Sequence, residues 1–270
     1  MPHSANTRHQ RSQYSTSNLG SWWGKTKEGK KTKGDILLYP GEGRGESALI
    51  PRTSRATRGR FVCHVLNRGH GLSDVFHKDD DFAAFVNLMQ EAHEKVPMRL
   101  SGFCLMTNHF HLLLWRHEDG DLSRWMQRLM GSHVRRYDRH YKGSGHVWQG
   151  RFKAFPVQSD RHYLTVLRYV ERNPLRAKMV ERSQDWEWSS LKLTTRTGPD
   201  GLLCDGPIQM PAQWTRHVNG IETAGELKSV RHSVARGTPS GDTGCQSKIT
   251  AEPETESSLR RGGRPRRTDK

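Results

Sequence analysis

The sequence predicts an α+β fold: an antiparallel sheet with helices packed on it, in the middle of a 270-residue chain flanked by disordered basic arms. Three observations predict it. Stretches in which apolar side chains alternate are interleaved with stretches in which they recur three and four residues apart, the periods of strand and helix. Two strand-like stretches are separated only by Thr107-Asn108, a connection short enough for an antiparallel hairpin. The resulting order of strand, helix, hairpin, helix, strand, helix builds one layered domain with no internal repeat.

The first strand is RFVCHVLNRG (60–69), β-rich and ending in Asn-Arg-Gly, a turn signal. A helix over Asp79 to Lys95 follows from Phe82, Phe85, Val86, Leu88, Met89 and Ala92 at helical spacing, begun by three aspartates that suit a helix N-terminus. RLSGFCLM (99–106) and HFHLLLW (109–115) are the hairpin strands around the Thr107-Asn108 turn, with the second expected near a sheet edge. A second helix spans about Leu122 to Tyr141, with Leu122, Trp125, Met126, Leu129 and Val134 inward. The loop KGSGHVWQG leads to a strand over 151–157. The next helix starts near Ser159-Asp160, a capping pair, and stops at Asn173-Pro174, because proline disfavours helix in the residue before it. A short helix near Leu175–Val180 and the segment DWEWSSL close the domain.

Composition sets the boundaries and narrows the partners. Only 33% of residues are hydrophobic, and the mean hydropathy is −0.86, so much of the length is not core. Residues 1–57, rich in Gly, Ser, Thr, Lys and Arg, read as a flexible basic arm. Residues 58–195 form the folded domain, and 196–270 a loosely structured basic tail ending in SSLRRGGRPRRTDK. A net charge of +16 and a pI of about 10.1 favour a polyanionic partner, nucleic acid ahead of an anionic membrane surface. Cys63, Cys104, Cys204 and Cys245 are far apart with no CxxC, which argues against a disulfide framework or zinc knuckle and for reduced thiols. No apolar run approaches the length of a membrane span, and the N-terminal residues lack the apolar core of a secretory signal.

The chemistry concentrates in TNHFHLLLW (107–115). Side chains of a strand alternate faces, so His109 and His111 point one way and Phe110 the other. Two imidazoles on one face either form a hydrogen-bonded pair or serve as two ligands of a metal that needs a third. In RYVERNP (168–174), Tyr169 and Asn173 are four apart and share a helix face. A phenol is a poor nucleophile at neutral pH, since its pKa is about 10. It becomes useful when a divalent cation neutralises charge on the electrophile, as with a phosphodiester. Taken alone, Tyr169 also fits an ordinary core-edge tyrosine of an amphipathic helix.

The pieces FVCHVLNRG, CLMTNHFHLLL, GHVWQGRFKAFPV, YLTVLRYVERNPLRAKMV and DWEWSSL occur in that order over about 60–192. Together they resemble the single-tyrosine HUH (His, hydrophobic residue, His) endonucleases, and within them the REP-associated tyrosine transposases. The resemblance implies a ferredoxin-like, RRM-like core. It implies His109 and His111 as metal ligands, Asn173 completing the site, and Tyr169 as the nucleophile. Magnesium is the implied ion, with manganese accepted by a mixed imidazole and oxygen site. The implied activity is cleavage and rejoining of single-stranded DNA at REP-type hairpins through a 5′-phosphotyrosine, without ATP. The implied protein is a bacterial cytoplasmic, nucleoid-associated monomer or homodimer that does not engage membranes. Alternatives are a non-catalytic DNA- or RNA-hairpin-binding protein and a purely hydrolytic metallonuclease.

Other residues carry secondary expectations. Trp148, Arg151 and Lys153 mix aromatic and basic groups around a glycine-bearing loop, a pattern that stacks a base and holds its phosphate, although Trp148 equally suits a core. Arg168, Arg172 and Arg176 flank the tyrosine and are candidates for holding DNA. Arg135, Arg136 and Arg139 read foremost as a solvated helix face. His64, on the first strand, is either a satisfied sheet histidine or a group that orients a metal ligand. Tyr137 and Tyr141 are rival nucleophiles that lack an amide one turn on, and Tyr163, on a different helix face, is packing.

Overall fold

The computed structural model describes residues 61–116, 118, 120–158, 161–195, 202–236 and 238–241. The expected arm over 1–57, the end of the tail from 242 and the Ser159-Asp160 cap lie outside the described residues. Within them run β1 (Val62–Arg68), α1 (Asp79–Lys95), β2 (Met98–Met106), β3 (His109–Arg116), α2 (Asp121–Tyr141), β4 (Lys153–Val157) and α3 (Arg161–Glu171), then α4 (Asn173–Arg176), α5 (Ser190–Thr195), α6 (Trp214–Asn219) and α7 (Ala224–Arg236).

The four strands form one sheet in the order β2-β3-β1-β4, every pair antiparallel. The path β1-α1-β2 passes over β3, and β3-α2-β4 passes over β1, the interleaving of a ferredoxin-like core. The strand carrying the histidine pair is therefore internal, not near an edge. The two-residue turn sets β2 against one side of β3, and β1 occupies the other.

Strand alternation divides the core in two. On one face Phe110 meets Phe85 of α1 and Trp148. On the other, Val62, Leu66, Leu113 and Val157 pack with Val166, Leu167 and Val170 of α3. Helix α1 begins where Asp81 accepts hydrogen bonds from the backbone N–H of His77 and Lys78, which satisfies donors that a helix start leaves free. At the irregularity in β2, a methyl on Gly102 would overlap Cδ1 of Leu167, so glycine lets α3 approach the sheet.

Two further expectations change. The short helix begins at Asn173 rather than Leu175, because Pro174 sits in its first turn, where no backbone donor is needed. The region beyond 195 is not loose throughout. Trp214 and Val218 of α6, and Val230 and Val234 of α7, join the α3-side core that contains Tyr169.

Candidate active site

Cross-strand register builds the site. Arg68 pairs with His109 and Met106 pairs with His109 from the other side. In the next row on the same face stand Lys153, Leu66, His111 and Cys104. His109 and His111 thus project from β3 toward α3, with ring centroids 5.2 Å apart and planes at 89°. Helix α3 lays Tyr169 against His111 and His64, its ring 5.8 Å from the first and 6.2 Å from the second.

Each imidazole is held through Nδ1. That of His109 lies 2.7 Å from Asn108 Oδ1, and that of His111 lies 2.9 Å from His64 Nε2. Nε2 of His109, Nε2 of His111 and the Tyr169 hydroxyl are buried without a hydrogen-bond partner. Burial lowers the pKa of His64 to about 3, lowers that of His109 to about 3 with help from Arg68 and Arg176, and holds His111 well below its ordinary value. All three are neutral at pH 7, the form whose nitrogen lone pair binds a metal. Burial raises the Tyr169 phenol above its ordinary range, opposed by Arg176 and Arg231.

Arg176 sits at the centre of the site. Its guanidinium carbon lies 4.2 Å from the Tyr169 ring centroid, and Nη2 donates to the Tyr169 carbonyl at 3.2 Å and to Asn173 Oδ1 at 2.7 Å. The Asn173 oxygen keeps one lone pair, and its Nδ2 is buried without a partner. Among the described residues no group of three or more His, Cys, Asp or Glu is placed to hold a metal ion. The two bare Nε2 atoms fit a divalent cation whose other ligands are oxygens, from Asn173, solvent or substrate.

Behind the tyrosine, buried Glu171 accepts from Ser190 Oγ at 2.6 Å and from Trp214 Nε1 at 2.7 Å, tying α3 to α5 and α6. Burial raises its pKa to about 7.

Several expected nucleic-acid contacts lie elsewhere. Trp148 is 5% exposed and packs among Phe76, Phe85, Phe110 and His133 on the opposite sheet face, so it presents no ring to a base. Arg168 is buried and donates to the carbonyls of Gly220 and Ile221 and to Glu226. Arg172 donates to the Val218 carbonyl at 2.6 Å and pairs with Glu222. Both arginines anchor the segment between α6 and α7 rather than facing solvent. Arg151 and Lys153 are exposed. Tyr141 donates to Asp81 and Tyr137 lies 3.0 Å from His77 Nε2, both engaged with the α1 side of the sheet. Tyr163 is 1% exposed in the core.

Sequence reasoning left out Arg68 and treated Asn108 only as a turn residue. Arg176, expected only as one of three arginines flanking the tyrosine, reaches from α4 back to the Tyr169 ring of α3. No local signal marked Arg68 or the His64–His111 bond, which follow from how β1 pairs with β3.

Residues 60–173 match the model of a family described as "Transposase IS200 like". A Haemophilus influenzae protein named "Putative REP-associated tyrosine transposase" is 26% identical over 117 residues, 39% of this chain and 66% of that protein. The Escherichia coli "REP-associated tyrosine transposase" is 24% identical over 97 residues, 35% of this chain and 54% of that protein. The chain thus spans less than two thirds of the length of each of these relatives. A solved structure of a REP-associated tyrosine transposase bound to a REP hairpin aligns with 59% of this chain and 93% of its own, at 17% identity and a TM-score of 0.43. Over its folded core the chain resembles the REP-associated tyrosine transposases, as its motifs indicate.

Proposed function

We propose that this chain, which over residues 60–173 resembles the IS200-like transposases, cuts and rejoins single-stranded DNA beside REP-type hairpins through a covalent phosphotyrosine. One observation carries the reading. On one sheet face, two neutral imidazoles and a phenol, their rings in a chain of contacts at 5.2 and 5.8 Å, each carry a buried polar atom without a protein partner. An unpaired buried polar atom costs about 1–3 kcal/mol, so three together mark a site built for something else to occupy.

In this reading Tyr169 Oη attacks the phosphorus. The new bond is Oη–P, the broken bond is P–O3′, and the phenol proton ends on the 3′ oxygen. One phosphodiester replaces another, so no ATP is needed, and the free 3′-hydroxyl can later reverse the step. His109, His111 and the remaining lone pair of Asn173 Oδ1 would hold Mg2+ or Mn2+, which supplies charge neutralisation at the phosphate. Arg176 and Arg68 add fixed positive charge beside His109. Arg151 and Lys153, both exposed, would follow the DNA backbone. Since Tyr169 is only 1% exposed, side chains covering the hydroxyl must part before DNA enters.

The test is a denaturing gel after incubating the protein with labelled hairpin DNA and Mg2+ or Mn2+. Label transferred to protein, and lost with EDTA, with Tyr169→Phe and with His109→Ala, is the expected result. Cleavage without adduct would mean hydrolysis and remove Tyr169 from its role. The burial of the hydroxyl favours one second reading, a hairpin-binding protein that does not cut. Tight binding with neither product would support it.

A further inference from the structure

We propose that Asn108, with the turn that holds it, selects the tautomer of His109 and leaves Nε2 of that imidazole bare for a divalent cation. The cation half rests on the function proposed above; the tautomer half does not.

The hydrogen-bond network orients the Asn108 carboxamide. Asn108 Nδ2 lies 3.1 Å from the Leu72 carbonyl oxygen. A carbonyl only accepts, so this end of the amide is the NH2 group. The other end, Oδ1, lies 2.7 Å from His109 Nδ1. An amide oxygen also only accepts, so Nδ1 carries the hydrogen. A neutral imidazole has one N–H, and Nε2 is then a lone pair. That lone pair is buried, and no protein donor reaches it.

The brace is fixed by backbone rather than by chance contact. Gly69 N donates to the Asn108 carbonyl at 2.7 Å, and Val75 N and Phe76 N donate to the Thr107 carbonyl at 2.8 and 2.9 Å. Gly71 and Leu72 both adopt left-handed backbone, at φ 59° and 67°. For leucine that conformation is strained, and here it presents the Leu72 carbonyl to Asn108. A methyl at Gly69 would overlap the Ser73 carbonyl, so the loop closes this tightly only with glycine there. Asn108 is therefore a positioning residue, acting through His109.

The experiment uses the 15N-labelled full chain. Long-range 1H–15N correlation through the imidazole rings, recorded in EDTA, reads the His109 tautomer without any cation, with assignment by a His109→Ala variant. The wild type is expected in the Nδ1–H form, Asn108→Asp to keep it because an acceptor oxygen remains, and Asn108→Ala to lose it. Manganese titration followed by electron paramagnetic resonance is the second arm. There Asn108→Ala is expected to weaken binding about 10–100-fold, the usual effect of removing an outer partner of a metal-bound histidine. An Nε2–H tautomer in the wild type overturns the proposal, as does unchanged manganese affinity in a folded Asn108→Ala protein. The Nδ1–H form in a wild type that binds no manganese upholds the tautomer and overturns the cation half, together with the metal reading of the site. Should Asn108→Ala fail to fold, the wild-type and Asn108→Asp spectra decide the tautomer, and manganese binding by the wild type decides the cation half.

Discussion

His64 Nε2 meets His111 Nδ1 at 2.9 Å, with the two rings stacked at 26° and neither residue more than 2% exposed. A hydrogen bond between imidazoles from two strands leaves the outer nitrogen of His111 facing the tyrosine side of the sheet. Of the two roles open to His64, this contact satisfies it as a sheet histidine, and with His111 as the proposed metal ligand it would also orient that ligand.

Replacing His64 separates them. His64→Leu strips the partner from a buried Nδ1, which costs about 1–3 kcal/mol. It also lets the His111 ring turn, and manganese affinity is expected to fall about 10–100-fold. His64→Gln restores a polar partner and is expected to recover much of both. Thermal denaturation and manganese titration on the same samples check this. Full stability with unchanged affinity in His64→Leu would remove the residue from the site.

Arg176 holds a cation 4.2 Å from the Tyr169 ring and is tied to Asn173. Arg176→Met removes that charge, which in the proposed reaction would lie beside the phosphate, so adduct formation is expected to slow about 100-fold or more. Arg176→Lys, which keeps charge but cannot span the Tyr169 carbonyl and Asn173 Oδ1 together, should fall between the two. Single-turnover rates of covalent transfer measure the difference.

Glu222 pairs with both Arg172 and Arg176, at 3.3 and 3.2 Å. In the proposed reading phosphates would compete with this carboxylate for Arg176, the one of the two that lies against the Tyr169 ring. Glu222→Gln is therefore expected to tighten binding of single-stranded DNA at low salt by about threefold to tenfold and to steepen its salt dependence by about one counterion. A filter-binding series across salt concentrations tests this, and an unchanged slope would mean that neither arginine reaches DNA.

Stability should depend on pH through two opposed sets of groups. His64 and His109 have folded pKa values of about 3, and His133 about 4, against an ordinary 6.5; His111 is lowered as well. Below 6.5 the unfolded chain takes up protons that the folded chain refuses, so their contribution is full above 6.5 and is lost as pH falls toward 3–4, at about 1.4 kcal/mol per pH unit for each group. Glu171 runs the other way. Its folded pKa of about 7, against 4.5, makes its contribution greatest below 4.5 and lost as pH rises through 7. Urea denaturation in EDTA from pH 4.5 to 8 should show a net fall toward acid. Glu171→Gln should make that fall steeper between 4.5 and 6.5 by removing the opposing group.

The sequence by itself determined the elements from β1 to α3 and the local pairing of chemistry on the histidine strand, but not α6 and α7. Two-residue alternation put His109 and His111 on one face of a strand, which follows from backbone geometry repeated over a few residues. Tyr169 and Asn173, expected on one helix, fall on two, since α3 ends at Glu171 and Asn173 opens α4. Only the tertiary structure decided what those faces meet. Trp148 suited a stacking surface and a core equally until it was placed between α1, α2 and the sheet, where burying its large apolar area outweighs exposing it. Arg168 and Arg172 looked free until the chain returned some 50 residues later to bring Gly220, Glu222 and Glu226 against them. His64 joined the site because β1 pairs with β3 across 47 residues of sequence. Such contacts arise from the global minimum of burial and hydrogen bonding, and no local periodicity encodes them.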